Sequence, residues 1–168
     1  PVALPAGKRV LVPDYVRGIA IVERATGKVS WLANDAHAAL NGIDGMVLNV
    51  GVGAGGLGLS GATPESWDRT LETNLRGPML GCKVAIPRML ERGGGSIVNT
   101  SSASGLTGDL ARVAYGVSKA GLDSLTRYVA TQYGKRGIRC NLIAPGVIAT
   151  PALANHITRE QLAIYERN

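Results

Sequence analysis

The sequence contains no phenylalanine, and its whole aromatic complement is two tryptophans and five tyrosines, 4% of the chain. So thin and scattered a set provides no platform on which successive nucleic-acid bases could stack. Cysteine is equally scarce. Cys82 and Cys140 stand in apolar surroundings without the paired spacing of a zinc site. They read as buried, reduced thiols of a cytoplasmic protein rather than as a disulfide framework. His37 and His156 are isolated, so no metal site is expected. No apolar run approaches the ~18 residues that a membrane-spanning helix needs. No basic segment with a following apolar stretch opens the chain, so secretion is not expected either. Acidic residues are outnumbered, 12 Asp and Glu against 18 Lys and Arg, for a net charge of +6. The surplus forms no Lys/Arg block and no nucleic-acid motif. It reads as ordinary surface charge with some capacity to steer anions, and no nucleic-acid partner is expected.

What is present suits one globular domain over residues 1–168: 45% hydrophobic and 18% charged residues. Lys8 to Val12 reads as a first strand, Ile19 to Ala25 as a short helix, and Lys28 to Leu32 as a second strand. Asp35 to Leu40 is weakly helical. Asp44 to Val50 is a continuous apolar run, as in a parallel strand covered on both faces. Thr63 can cap the helix that follows, with Pro64 at its first position and Glu65 and Asp68 near its positive end. That helix runs to Leu90 and stops at Gly93-Gly94-Gly95. Ser96 to Thr100 is a strand, a loop follows to about Arg112, and a second long helix spans about 114–135. Ile138 to Ile143 is a further strand, and the tail from Pro151 is polar and weakly helical. Strands alternating with helices predict an α/β fold with a Rossmann-type, doubly wound parallel sheet.

Within this frame Tyr115-Gly116-Val117-Ser118-Lys119 carries the most chemistry. A Tyr and a Lys four apart on a helix share one face. An ammonium beside a phenol favours the phenolate, which suits proton exchange with an alcohol or carbonyl oxygen. Ser102 lies thirteen residues before Tyr115, where a buried strand opens into a loop. The carboxyl ends of strands are where open α/β sheets place their ligands. Gly51-Val52-Gly53-Ala54-Gly55-Gly56 fits a dinucleotide fingerprint, yet no helix begins before Thr63 to receive a phosphate, so it reads as a rim loop.

From Asp44 to Pro151 the chain resembles the short-chain dehydrogenase/reductase family of NAD(P)-dependent enzymes. Leu48-Asn49-Val50-Gly51 stands where the family has Asn-Asn-Ala-Gly, and Asn74-Leu75-Arg76-Gly77 matches the segment of its catalytic Asn. Ser102, Tyr115 and Lys119 match its Ser, Tyr and Lys in order and spacing. Pro145-Gly146-Val147-Ile148-Ala149-Thr150 matches its Pro-Gly segment beside the nicotinamide. The resemblance implies Tyr115 as acid/base and Ser102 as hydrogen-bond donor to the substrate oxygen. It implies Lys119 as partner of Tyr115 and of the nicotinamide ribose, and Asn74 as holder of a relay water through its main-chain carbonyl. Pro78, four residues on, has no N–H to bond that carbonyl, so a kink is expected there. Cofactor contacts are implied for Gly18, Ile19, Asn49, Gly51, Tyr115, Lys119, Pro145, Gly146, Ile148 and Thr150, with NAD or NADP as cofactor. A small apolar alcohol or carbonyl substrate is expected from the rim leucines Leu57, Leu59, Leu106 and Leu110, and a homo-oligomer, dimer or tetramer, from the two long helices.

The first third departs from the family pattern. In register with its Thr-Gly-x-x-x-Gly-x-Gly loop the chain reads Pro13-Asp14-Tyr15-Val16-Arg17-Gly18-Ile19-Ala20, which keeps one glycine and sets Asp14 where pyrophosphate would approach. Residues 34–44 are too few for the strand and helices that the family places there, and the family's lid and last strand would lie beyond Asn168. A second reading follows from these departures: a binding or scaffold subunit on the same fold with impaired cofactor binding.

Overall fold

Runs of β-branched and other apolar residues become six strands of one sheet in the computed structural model of this chain, which describes residues 9–14, 18–23, 28–32, 43–53, 58–108 and 112–148. The strands are β1 (Arg9–Asp14), β2 (Gly18–Glu23), β3 (Lys28–Leu32), β4 (Gly45–Leu48), β5 (Gly95–Thr100) and β6 (Ile138–Ile143). Their order across the sheet is β3-β2-β1-β4-β5-β6. β1, β4, β5 and β6 run parallel, as a Rossmann-type fold requires.

The β1 side differs from the expected pattern. β2 pairs antiparallel with β1, and β3 antiparallel with β2, so the first three strands form a meander. The short helix expected over Ile19 to Ala25 is therefore corrected to strand as far as Glu23, and residues 24 and 25 lie outside the described residues. Ile19, Ile21 and Val22 lie in a run whose β-branched side chains favour extended backbone. Ala25-Thr26-Gly27 separates that run from Val29-Ser30-Trp31, which is a hairpin pattern. Only four residues join β2 to β3, too few for the crossover that parallel strands need. The weak helices expected at 35–40 and beyond Pro151 lie outside the described residues.

The helices follow their sequence signals closely. Thr63 caps α1 (Pro64–Leu71), its Oγ1 accepting from the Ser66 N–H at 3.2 Å, with Pro64 in the first turn. A π-helical turn, Glu72–Arg76, joins α1 to α2 (Gly77–Glu91), and the Gly77 N–H reaches back five residues to the Glu72 carbonyl. The kink expected from Pro78 is thus a widened turn, a common adjustment where the ordinary ladder loses a donor. A short helix, α3 (Ala103–Leu106), interrupts the expected loop after β5, and α4 (Val113–Tyr133) follows.

Strand alternation assigns the faces. Met46, Leu48, Ile97, Ile138 and Cys140 point to one side and are buried with Met89 of α2 and Val129 of α4. Arg139, Asn141 and Ile143 point to the other side and are exposed. Among the described residues, α1, α2 and α4 all serve the first face; the second helical layer of a doubly wound sheet is not among them. Two tight turns set the register of the parallel strands. Gly94 (φ 136°) and Gly137 (φ 84°) lie back to back, and a Cβ on Gly94 would run into the Gly137 carbonyl oxygen. That approach lets the Gly95 N–H donate to the Gly137 carbonyl at 3.1 Å, which starts β5 opposite Ile138.

Candidate active site

The carboxyl ends of β4, β5 and β6 open onto one side of the sheet, and α4 brings its first two turns to them. Lys119 is 2% exposed although it carries a charge. Its ammonium donates to the Val50 carbonyl beyond β4 and to the Thr100 carbonyl at the end of β5, each at 2.8 Å. One side chain therefore ties together two strand ends that lie 50 residues apart in sequence. Burial pushes the Lys119 pKa down from 10.5 to about 8, against the opposing pull of Asp123 one helical turn further on. Asp123 is itself buried, and neither carboxylate oxygen has a partner among the described residues.

Tyr115 lies one turn before Lys119 and is half-buried. The ammonium sits 5.6 Å from its ring centroid. Gly51 completes the contact: a Cβ there would lie 3.4 Å from the Lys119 ammonium and 3.8 Å from Tyr115 Cε2. The backbone after β4 thus lies directly against the Tyr–Lys face. Asn49 follows β4 at once and is exposed.

Ser102 ends the β5 loop and caps α3, its Oγ accepting from the Ser104 N–H at 3.3 Å. α3 packs tightly on α4. A Cβ on Gly105 would be 2.9 Å from the Ala120 N, and one on Gly116 would be 3.0 Å from the Ser104 carbonyl oxygen. The Ser101 hydroxyl donates to the Lys119 carbonyl at 3.3 Å, a further tie between β5 and α4. The loop after β6 is drawn to the same place. The Ser101 N–H donates to Ile143 at 2.8 Å and the Ala103 N–H to Pro145 at 2.9 Å. Gly146 and Ile148 are exposed along that loop, and Thr150 lies outside the described residues.

Asn74 sits in the π-helical turn and is fully buried. Its side chain clamps the loop after β4: Oδ1 accepts from the Val52 N–H at 2.8 Å, and Nδ2 donates to the Val52 carbonyl at 2.9 Å. Nδ2 also donates to Ser118 Oγ at 3.0 Å, and that hydroxyl donates to the Tyr115 carbonyl at 2.7 Å. Asn74 therefore reaches the first turn of α4 through one hydroxyl. The sequence reading attached chemistry to the Asn74 main chain and did not foresee this side-chain clamp. Ser118, Asp123 and Arg112 were also passed over. Ser118 and Asp123 lie three and eight residues after Tyr115, on or beside the buried face, which is the signal that could have found them.

Gly18 and Ile19 are elsewhere in kind. They open β2, opposite Asp14 and Pro13 of β1, and not a loop that leads into a helix. A helix N-terminus is what would offer N–H groups to a pyrophosphate, and β2 offers none.

The profile described as enoyl-(acyl carrier protein) reductase matches residues 24–167. A protein of Bradyrhizobium diazoefficiens named "Probable short-chain type dehydrogenase/reductase" is 51% identical over 104 residues, 57% of this chain and 37% of its own length. The 7alpha-hydroxysteroid dehydrogenase of Bacteroides fragilis is 46% identical over 101 residues, 60% of this chain and 39% of that one. Among solved structures, ElxO with NADP bound superposes with a TM-score of 0.66 at 31% identity, covering 68% of this chain and 46% of that one. The chain thus spans about two fifths of the length of these two curated relatives. No helix among the described residues is long and apolar enough to cross a membrane, and no group of three metal-ligating side chains occurs among them. With the profile covering most of its residues and solved members matching it at a TM-score of 0.66, the chain belongs to the short-chain dehydrogenase/reductase family.

Proposed function

We propose that this protein is an NAD(P)-dependent oxidoreductase that interconverts an alcohol and a ketone or aldehyde. The observation that carries the reading is the meeting of Tyr115, Lys119 and the Gly51 backbone at the strand ends. The Gly51 position, where a side chain would crowd Lys119, suits the approach of a flat nicotinamide-ribose group, with Asn49, Lys119, Pro145, Gly146, Ile148 and Thr150 to hold it. Pro13, Asp14 and Gly18 to Ala20 do not suit the pyrophosphate half, because they are paired as strands. A bound nicotinamide supplies or accepts the hydride.

In the reducing direction the Tyr115 hydroxyl gives its proton to the substrate oxygen; in the oxidising direction it takes one. Ser102 Oγ accepts from Ser104 N, which leaves its own O–H to donate to the same oxygen. That donor stabilises the charge that develops there. Lys119 keeps a positive charge beside Tyr115 up to about pH 8, and Asn74 holds the loop that faces both. The Asn74 main chain is the proposed anchor of a relay water. Leu59, Leu106 and Ile148 are exposed on the segments that follow β4, β5 and β6 and favour a partly apolar substrate. Leu57 and Leu110 lie outside the described residues. Met79, Leu80 and Val84 on α2 and Tyr128 on α4 are exposed and provide a surface for pairing with a second copy.

Tyr115→Phe tests the assignment: turnover of ketones should be lost with the fold intact, and full activity in that variant would refute it. The β1–β2 hairpin favours a second reading, a binding subunit with impaired cofactor binding. Titration with NADH and NADPH separates the two. Saturable micromolar binding of either sinks the second reading, and no binding of both sinks the first.

A further inference from the structure

A dinucleotide lies across the carboxyl ends of a Rossmann-type sheet, and its two halves make different demands. The nicotinamide-ribose half needs open backbone beside the reacting side chains. The pyrophosphate needs N–H groups that converge on it, which the start of a helix supplies. The strand ends of this chain meet the first demand. Gly51 is exposed and sets no side chain over Lys119 and Tyr115. The Lys119 ammonium has three N–H groups and gives two of them to main-chain carbonyls, which leaves one for a ribose hydroxyl. Asn49, Gly146 and Ile148 are exposed on the segments that follow β4 and β6.

The second demand is not met. β1 runs parallel to β4 with Val10 opposite Gly45 and Leu11 opposite Met46, an offset that sets Asp14 level with Asn49. The end of β1 is therefore the place, next to the Gly51 backbone, where a pyrophosphate would cross the sheet. There Asp14 pairs with Gly18, the first residue of an antiparallel neighbour. Only three residues join β1 to β2, too few for a helix between them. β1 has β2 and β4 on its two sides, and β2 has β1 and β3. The N–H groups of such strands point sideways to their neighbours and do not converge beyond the strand ends.

We propose that this site holds its cofactor by the nicotinamide-ribose half alone. Nicotinamide mononucleotide then binds as well as the dinucleotide. The extra phosphate of NADP is carried on the adenylate half, so the site does not distinguish NAD from NADP. This deepens the dehydrogenase reading and rests on it for the nicotinamide itself. A site that grips both halves behaves otherwise. Charge-assisted hydrogen bonds to a pyrophosphate are among the strong ones, and cutting the adenylate half away from them costs about a hundred-fold or more in affinity.

The test is calorimetric titration of the full chain with NADH, NADPH, reduced nicotinamide mononucleotide and ADP-ribose. The first three should bind with dissociation constants within about ten-fold of one another, and ADP-ribose should neither bind nor displace NADH. Gly51→Ala locates the half that is held. Its methyl group would lie 3.4 Å from the Lys119 ammonium and 3.8 Å from Tyr115 Cε2, in the path of the ribose. Those are ordinary contacts, so the variant is expected to fold, which a melting curve checks; the wild-type series decides without it. Gly51→Ala should weaken NADH and the mononucleotide by the same factor, about ten-fold. NADH binding more than about ten-fold tighter than the mononucleotide overturns the proposal, as does a preference of that size between NADH and NADPH. So does displacement of NADH by ADP-ribose, or NADH binding that Gly51→Ala leaves unchanged. In each of these cases NADH still binds, and the dehydrogenase reading stands. An absence of binding by all of the nicotinamides overturns both. Equal binding by the three, with full ketone reduction by Tyr115→Phe, would sink the proposed chemistry and leave the half-site standing.

Discussion

Lys119→Met isolates the buried charge. Methionine keeps the length and apolar stem of the side chain and removes the ammonium. In the wild type the unfolded chain holds the Lys119 proton up to about pH 10.5, whereas the folded chain sheds it near pH 8. Between those values the unfolded state binds more protons, so this residue makes stability rise with pH. Below pH 8 its full penalty is present, about 3 kcal/mol for the drop from 10.5 to about 8. Moving from about pH 7.5 to about pH 9.5 should relieve up to about 2 kcal/mol of it.

The raw curve of the wild type hides this gain. Burial pushes the thiols of Cys82 and Cys140 up from 9.0 to about 12 and about 11. Over the same interval they favour the unfolded state, whose thiols ionise, by about 1–2 kcal/mol together. Both proteins contain those thiols, so they cancel in the difference between wild type and Lys119→Met. Urea denaturation of both at the two pH values measures it. The wild type should gain about 2 kcal/mol relative to the variant. Parallel pH profiles, or a wild type that loses ground, would refute the assignment of a strained, charged Lys119. Asp123→Asn removes the charge that supports the ammonium, so it should move the window to lower pH.

Three further outcomes follow from the geometry. Asn74→Leu should cost about 2–4 kcal/mol in urea denaturation, because both polar groups of Val52 lose their partner and the Ser118 hydroxyl loses the donor it accepts from; a loss under about 1 kcal/mol would deny the clamp. Gly94→Ala should destabilise by more than about 2 kcal/mol, since its Cβ meets the Gly137 carbonyl oxygen. Gly93→Ala, with positive φ but open space, should cost only about 1 kcal/mol, and equal melting temperatures for the two would contradict the packing. Cys82 and Cys140, 3% and 6% exposed, should resist a thiol reagent at about pH 8 until denaturant is added, and rapid labelling of the native chain would place them elsewhere.

Apart from α3, which falls in a stretch read as loop, the elements from Thr63 to Ile143 were legible because local chemistry names their ends. Thr63 and Pro64 start a helix, three glycines stop it, and β-branched runs bounded by glycine become β5 and β6. The hairpin of β2 and β3 was legible too, in the Ala25-Thr26-Gly27 break between β-branched runs. It was misread because the expected glycine loop supplied a competing pattern for Gly18. Helical spacing correctly placed Tyr115 and Lys119 on one face, one turn apart.

By itself, then, the sequence determined which residues share a face, where elements begin and end, and which chemistry those side chains possess. Periodicity is a local property and is written in neighbours three to five residues apart. Only the tertiary structure decided what each face meets: that the Lys119 ammonium binds two strand ends, that the Asn74 side chain clamps Val52, and that Arg112 turns back over Tyr115. Most of those contacts join residues 19 to 69 positions apart, and their partners are chosen by sheet order and helix packing, which no local pattern encodes. The Arg112 contact is local, but it needs a left-handed backbone that an arginine adopts only when its surroundings impose it.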